Sequence, residues 1–262
     1  MPPRKRTEWL QIGSGKTYAH RTHWPLQSLI FILPLLLFYQ IATAIHPWAP
    51  APDQTPPQLV AFVLLLKFFA LFGAAGNILP PLAVIAILLG WHLARKDKWE
   101  FDPRLYLGMA GESLLWAIPI FVIGLALVRH TSMQAVAPPA TPPSAALPWQ
   151  TDIVLSVGAG IYEELLFRLI AITLLNILFI DIFEMKTSHA IPLILILSAV
   201  LFAGYHYLGS ESFATGGFAT FLFRTAMGIY LAGIFIYRGF GIAAGAHAAY
   251  DLIVVAASHL HH

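Results

Sequence analysis

The sequence is organised around residues 160–168, which read GIYEELLFR. This segment places Glu163, Glu164 and Arg168 inside an apolar run that is otherwise typical of a membrane-spanning helix. A charged side chain in hydrocarbon costs at least about 2.5–3.5 kcal/mol. Three of them in one helix therefore indicate that the charges serve the structure or the function of the protein. Glu164 and Arg168 are four residues apart and lie on one helix face, whereas Glu163 points about 100° away from Glu164. We predict that Glu164 pairs with Arg168 and that Glu163 is the freer carboxylate. The alternative is a buried ion network that only locks helices together.

Composition sets the class of protein. Of the 262 residues, 58% are hydrophobic and 11% are charged, whereas soluble domains carry about 25% charged residues. We therefore predict an all-α polytopic membrane protein. The chain contains no cysteine, which excludes disulfides and thiol chemistry. The net charge of +2 gives no indication of nucleic acid binding, and the basic N-terminus is suited to contact with anionic membrane lipids.

Apolar runs and proline-rich breaks divide the chain into four parts. We predict a basic interfacial segment over 1–24, four transmembrane helices over 25–130, a Pro/Ala-rich connector over 131–149 and four further helices over 150–258. The eight spans are expected near 26–45, 58–75, 79–95, 105–128, 151–178, 190–208, 214–237 and 240–258. The basic N-terminus predicts that it is cytoplasmic. Eight full spans would then place the basic loop at 96–104 outside, so either part of 58–95 does not cross or the rule does not hold here.

Two further stretches place ionisable groups in apolar helices. One ends in His206, four residues after Phe202, and the other contains His247 and Asp251, which project from one helix face. Alanines and glycines around His247 allow another helix to approach closely. Because three spans carry polar groups that need partners, we predict one shared polar cavity in the last four helices. The alternative is that Asp251 only satisfies His247 and that His206 is structural.

Such a cavity has the components of a hydrolase without a protein nucleophile. A carboxylate and a histidine that share one water form a general base, and a second histidine can donate to an oxyanion. Zinc is the alternative, with Glu163, His206, His247 and Asp251 as ligands, because all three residue types bind it. However, neither the HExxH spacing nor its relatives occur in the sequence.

The three stretches together resemble the CPBP family of membrane proteases, which includes type II CAAX prenyl endopeptidases and Abi bacteriocin-processing proteins. The family pattern is EExxxR, then FxxxH, then HxxxN or a related residue. Over residues 150–258 it reads Glu163-Glu164…Arg168, Phe202…His206 and His247…Asp251. One helix separates the second motif from the third, as in the family.

The resemblance implies an intramembrane endopeptidase of the prokaryotic plasma membrane that cuts peptide substrates, either near a prenylated C-terminus or as small peptides. It implies that Glu163 and His206 activate water, that Glu164 and Arg168 organise the site, and that His247 and Asp251 form the oxyanion site. Metal-dependent and metal-free glutamate mechanisms have both been described for the family. The missing zinc spacing favours the metal-free mechanism here, and a divalent cofactor such as zinc is the alternative.

One residue departs from the family pattern. Asp251 stands where an asparagine would donate a hydrogen bond, and an ionised aspartate only accepts. Asp251 must therefore be protonated, orient His247 or bind a metal. Two other functions remain open: a non-catalytic scaffold or immunity protein on the same fold, and an ion-coupled transporter. Glu112 is a further intramembrane acid that no motif explains.

Overall fold

The protein is helical throughout the residues that its computed structural model describes, which are 17–45, 59–130, 149–208 and 213–259. No strand occurs in these ranges, so the predicted all-α class is confirmed there. The predicted connector, except Trp149, and residues 1–16 of the predicted N-terminal segment lie outside the described residues. The helices are α1 (Tyr18–Thr22), α2 (Pro25–Ile45), α3 (Val60–Ala70), α4 (Leu79–Arg95), α5 (Pro103–His130), α6 (Trp149–Ile182), α7 (Thr187–Tyr205), α8 (Phe213–Arg238) and α9 (Phe240–His259).

Six of these helices are long and apolar enough to cross a membrane: α2, α5, α6, α7, α8 from Gly217 onward, and α9. All eight predicted segments are helical, but α3 and α4 contain only 11 and 17 residues. At 1.5 Å per residue they extend about 16 and 26 Å, less than the hydrocarbon thickness of about 30 Å. The predicted full span over 58–75 is therefore wrong in length. The helix ends at Ala70, and Gly73 and Gly76 adopt positive φ angles in the turn that follows. The protein is an integral, multi-pass membrane protein.

Helix α9 forms the centre of the bundle. Of its most apolar 18-residue window, 72% is buried inside the protein, against 50% or less in the other five candidate spans. It contacts α6 and α5 most extensively, and also α2 and α8. Small residues permit this packing, because a Cβ atom added at Gly160 would lie 2.7 Å from the Ala244 carbonyl oxygen and from the Ala248 Cβ atom. The backbones of α6 and α9 therefore approach as closely as glycine allows.

Helix α6 changes its winding where its charged residues lie. The α-helical part runs over Trp149–Glu164, a π-helical segment follows over Leu165–Ala171, and a second π segment covers Ile177–Ile182. π-helical turns are rare in proteins, and those that occur are often found at functional sites. Glu163 and Glu164 thus end the regular α-helix, and Arg168 projects from the first π segment.

Glu112, which no motif explains, anchors the N-terminal helix. Its carboxylate pairs with Arg238 at the end of α8. It also accepts hydrogen bonds from the Tyr18 hydroxyl at 2.7 Å and the Trp116 indole at 3.0 Å. A second ion pair joins Arg21 Nη1 to Asp102 Oδ2 at 2.8 Å. The hydrogen bond from Arg21 holds the pKa of Asp102 below its ordinary value. Glu112 therefore has a structural role outside the three motifs.

We predict that Gly160→Ala lowers the free energy of unfolding by about 1–3 kcal/mol, because the added methyl group meets the α9 backbone and overpacks the interface. Unfolding in detergent micelles, followed by circular dichroism, measures this loss. The matched control is Gly233→Ala on α8, where an added Cβ has no heavy atom within 4 Å. Equal stability of the two variants would contradict the close approach of α6 and α9.

Candidate active site

The close packing of α6 on α9 brings the first motif against the third. The His247 Nδ1 atom lies 2.8 Å from Glu164 Oε1, and both residues are buried. Because an ionised carboxylate only accepts hydrogen bonds, the imidazole donates from Nδ1. This bond fixes the orientation of the His247 ring with a proton on Nδ1, and it directs Nε2 away from Glu164.

Glu164 is held in turn by Arg168. The Arg168 Nε atom lies 3.1 Å from Glu164 Oε2, so the predicted i,i+4 pair is present, and neither side chain is exposed. Arg168 also donates from Nη2 to the Gly228 carbonyl oxygen at 3.3 Å, and its guanidinium lies 4.4 Å from the centroid of the Phe202 ring. Glu164 therefore bridges a cation on its own helix and an imidazole on α9.

The other nitrogen of His247 faces two further carboxylates. Its Nε2 atom lies 3.8 Å from Glu163 Oε2 and 3.6 Å from Asp251 Oδ2, both beyond hydrogen-bonding distance. The Nε2 edge of the ring is thus directed toward the space between these acids without being bound by either. Because Nδ1–H donates to Glu164, Nε2 carries a proton only when the ring is the imidazolium cation. The Glu163 side chain is only 6% exposed, whereas the Asp251 side chain is 20% exposed, so the site is more open at Asp251.

His206 joins this cluster through aromatic side chains. It lies in the 3₁₀ turn directly after α7, and its Nδ1 donates to the Phe202 carbonyl oxygen at 2.8 Å. The Phe202 ring contacts both imidazoles, with centroid distances of 5.2 Å to His206 and 5.9 Å to His247. Tyr205 packs on His206 at 4.3 Å and interacts electrostatically with Glu163. Within the described ranges no hydrogen bond or ion pair joins His206 directly to Glu163, so the water they would share remains a prediction.

Sequence reasoning missed one charged residue near the site. Arg224 lies on α8, is 8% exposed, and interacts electrostatically with Tyr205, His206 and Asp251. The available signal is an arginine inside an apolar run, the same signal that distinguishes Arg168. Because Arg224 belongs to no motif, the sequence alone does not connect it to the other site residues.

The structure gives no support for the conditional metal site. In the part of the chain that the structure describes, no group of three or more His, Asp or Glu side chains could hold a metal ion. The ligand set of Glu163, His206, His247 and Asp251 therefore stays a prediction.

We predict that Arg168→Met lowers the free energy of unfolding by about 3–5 kcal/mol, because it leaves the charge of Glu164 buried without its partner. The control is Arg104→Met, an exposed arginine at the start of α5, for which a change within about 0.5 kcal/mol is expected. Chemical unfolding in micelles compares the two. An equally small loss for both would show that Arg168 does not neutralise Glu164.

Comparison with known proteins identifies the part of the chain that carries these motifs. Residues 145–253 match the family model described as type II CAAX prenyl endopeptidase Rce1-like. The matched region covers less than half of the chain and includes all three motifs. No curated protein and no solved structure matches the sequence. Residues 145–253 are thus similar to the Rce1-like type II CAAX prenyl endopeptidase family, in agreement with the resemblance to the CPBP proteases.

Proposed function

We propose that the protein is an intramembrane endopeptidase that hydrolyses a peptide bond with a water activated by Glu163 and His206. One observation carries this proposal. A buried carboxylate, Glu163, and the free edge of a fixed imidazole, His247 Nε2, lie 3.8 Å apart inside the region that matches a peptidase family. This contact places a candidate base and a candidate oxyanion donor side by side in one buried site.

The contacts support a specific division of roles. Glu163 removes a proton from water as the water oxygen attacks the substrate carbonyl carbon. His206 accepts a hydrogen bond at Nε2 from the second O–H of that water, since its Nδ1 donates to the Phe202 carbonyl oxygen. His247 acts as the imidazolium cation, which the carboxylates of Glu163, Glu164 and Asp251 around it favour, and so carries a proton on Nε2 as well as on Nδ1. The carbonyl oxygen becomes an oxyanion that accepts a hydrogen bond from this Nε2–H group. The carbon–nitrogen bond then breaks, and the proton held by Glu163 passes to the departing amine.

Glu164 and Arg168 act without contacting the substrate. Glu164 fixes the proton of His247 on Nδ1 through their 2.8 Å contact, and Arg168 balances the charge of Glu164. A buried carboxylate that accepts from Nδ1 in this way orients the ring and stabilises its imidazolium form, which carries the second proton on Nε2. Both residues are therefore proposed as orienting groups.

The substrate in this proposal is a peptide near a prenylated C-terminus, cut in a prokaryotic plasma membrane. The family match supports a CAAX-type substrate. An apolar pocket of about 400 Å³ offers space for an isoprenoid chain, and Leu252 and Val255, which follow Asp251 on α9, contribute to it. Trp149, Ile153, Ala256 and His259 form the rest of its lining.

We predict that Glu163→Gln and His206→Ala each lower kcat on an internally quenched farnesylated peptide by about 10²–10⁴-fold, the range for loss of a general base. The matched control is Glu112→Gln, which changes an intramembrane acid that belongs to the N-terminal anchor and leaves the site intact. Activity that survives both site changes would overturn the proposal. A wild-type protein inactive on prenylated and unprenylated peptides alike would favour a non-catalytic scaffold.

We also predict that cleavage does not depend on a bound metal. The missing HExxH spacing supports this, as does the finding that no group of three or more His, Asp or Glu side chains among the described residues could hold a metal ion. Incubation with EDTA or 1,10-phenanthroline is expected to change kcat by less than about twofold. Such a change corresponds to less than about 0.5 kcal/mol in the activation free energy. The purified wild type and Asp251→Asn variant are expected to contain equally little zinc by elemental analysis. Loss of activity on chelation, restored by added zinc, would contradict the metal-free mechanism.

A further inference from the structure

Contacts between helices fix the direction in which each helix runs. A Cβ atom added at Gly241 or at Gly245, one turn later on α9, would lie 3.0 Å or less from both α2 and α5. The atoms it would meet belong to Ser28 and Met109 for Gly241, and to Phe31 and Ser113 for Gly245. Both neighbours are therefore met in chain order, so α2, α5 and α9 run parallel and begin at the same end of the bundle.

The helices that follow α5 alternate in direction. Gly160 of α6 packs on Ala244, and Trp149 at the start of α6 lines a pocket with His259 at the end of α9, so α6 and α9 are antiparallel. Helix α7 begins five residues after α6 ends, and α8 ends two residues before α9 begins. The ends of α6 and α8 and the start of α7 therefore lie where α9 begins.

Helix α3 does not add a crossing. Gln27 on α2 donates to the Glu100 carbonyl oxygen at 2.8 Å, so α4, which ends just before this loop, ends where α2 begins. The Phe62 ring of α3 lies 5.8 Å from that of Tyr39, which is about 21 Å along α2 from Pro25. The chain thus enters α3 in the far half of the bundle and returns through α4. This accounts for the position of the basic loop at 96–104.

Lysines and arginines are concentrated at the end where α2 begins, which we call the basic face. Seven of the described ones lie there: Arg21, Arg95, Lys96, Lys98, Arg104, Lys186 and Arg238. In the opposite half, the described residues include Lys67 on α3 and Arg129 in the last turn of α5, and no other lysine or arginine outside the site. An excess of lysine and arginine marks the cytoplasmic end of a membrane protein, and acidic partners change this little. The rule therefore assigns the basic face to the cytoplasm.

The site is closed toward the basic face and open toward the other. Every residue of α9 from Phe240 to Tyr250 is buried, exposure begins at Asp251, and His259 at the end of the helix is exposed. Helix α6 shows the same gradient from its other end, because residues 156–165 are buried whereas Trp149 is exposed. Access to the imidazole of α9 therefore lies on the side opposite to the basic face.

We propose that the site opens to the non-cytoplasmic side of the membrane and that its substrates are exported peptides or the non-cytoplasmic segments of membrane proteins. The proposal rests on the endopeptidase function above and adds the side from which the substrate arrives. The apolar pocket between Trp149 and His259 lies at the same open end. A lipid chain attached to the peptide would therefore enter from the non-cytoplasmic leaflet.

Single cysteines test the orientation, because the wild type has no background thiol. Lys98→Cys marks the basic face, and Gln150→Cys and Ser258→Cys mark the open end, all at exposed positions. In intact bacterial cells, a membrane-impermeant maleimide is expected to label the two open-end variants about tenfold or more above Lys98→Cys. Permeabilisation is expected to remove the difference. Preferential labelling of Lys98→Cys in intact cells, or equal labelling of all three, would overturn the proposal.

Asp251→Cys tests whether the site itself opens to that side. The same reagent is expected to label this variant in intact cells, since residue 251 is where exposure on α9 begins. The matched control is Ser198→Cys on α7, a buried position that is expected to stay unlabelled before and after permeabilisation. Labelling of Asp251→Cys only after permeabilisation would overturn the proposal, as would no labelling in either state.

Cleavage supplies a separate readout of the side of delivery. The internally quenched farnesylated peptide, carrying a sulfonated fluorophore that does not cross membranes, is added to cells that contain the wild type or Glu163→Gln. Intact wild-type cells are expected to cleave it within about twofold of the rate of permeabilised cells. Cleavage confined to permeabilised cells would overturn the side of delivery. Equal rates in the wild type and Glu163→Gln would show instead that the proposed function is wrong, and the cysteine labelling would still decide the orientation.

Discussion

The structure depends on the pairing of buried charges, because moving an ion out of water is costly. Glu164 and Arg168 are completely buried, and an uncompensated ion at such a position costs several kcal/mol even after relaxation. The protein meets this cost with a chain of contacts that runs from Arg168 through Glu164 to His247. That chain also sets the direction of His247 Nε2, so the same interactions stabilise the buried charges and orient the site.

Helix packing makes this chain of contacts possible. His247 reaches Glu164 because α6 and α9 lie at the distance that Gly160 permits. The switch from α-helix to π-helix after Glu164 changes the projection of the residues that follow, including Arg168. His247 and Glu164 are 83 residues apart in the sequence, so their hydrogen bond depends on helix packing and not on local spacing.

The sequence indicated those features that follow from local geometry or from chemical cost. The pair of Glu164 and Arg168 followed from their i,i+4 spacing, and the membrane class followed from composition. Of the predicted shared cavity, the structure brings His247 against both glutamates, whereas His206 is connected to them only through Phe202 and Tyr205.

Other features depend on tertiary packing, which a single sequence does not reveal. The early end of α3 at Ala70 reflects backbone turns at two glycines that hydropathy does not register. Glu112 could not be assigned, because its partners Tyr18 and Arg238 come from opposite ends of the chain. Arg224 was missed for the same reason, since its neighbours lie on α7 and α9.

The central claim is that acids of α6 and the imidazole of α9 form one connected site, and ¹⁵N NMR of the histidine-labelled protein in lipid nanodiscs tests it most directly. The His247 signal is identified by its loss in His247→Asn. We expect a proton held on Nδ1 in a strong hydrogen bond, with a marked shift of this signal in Glu164→Gln and none in Glu112→Gln. A His247 signal that is the same in the wild type and in Glu164→Gln would show that the imidazole and the acids of α6 do not form one site.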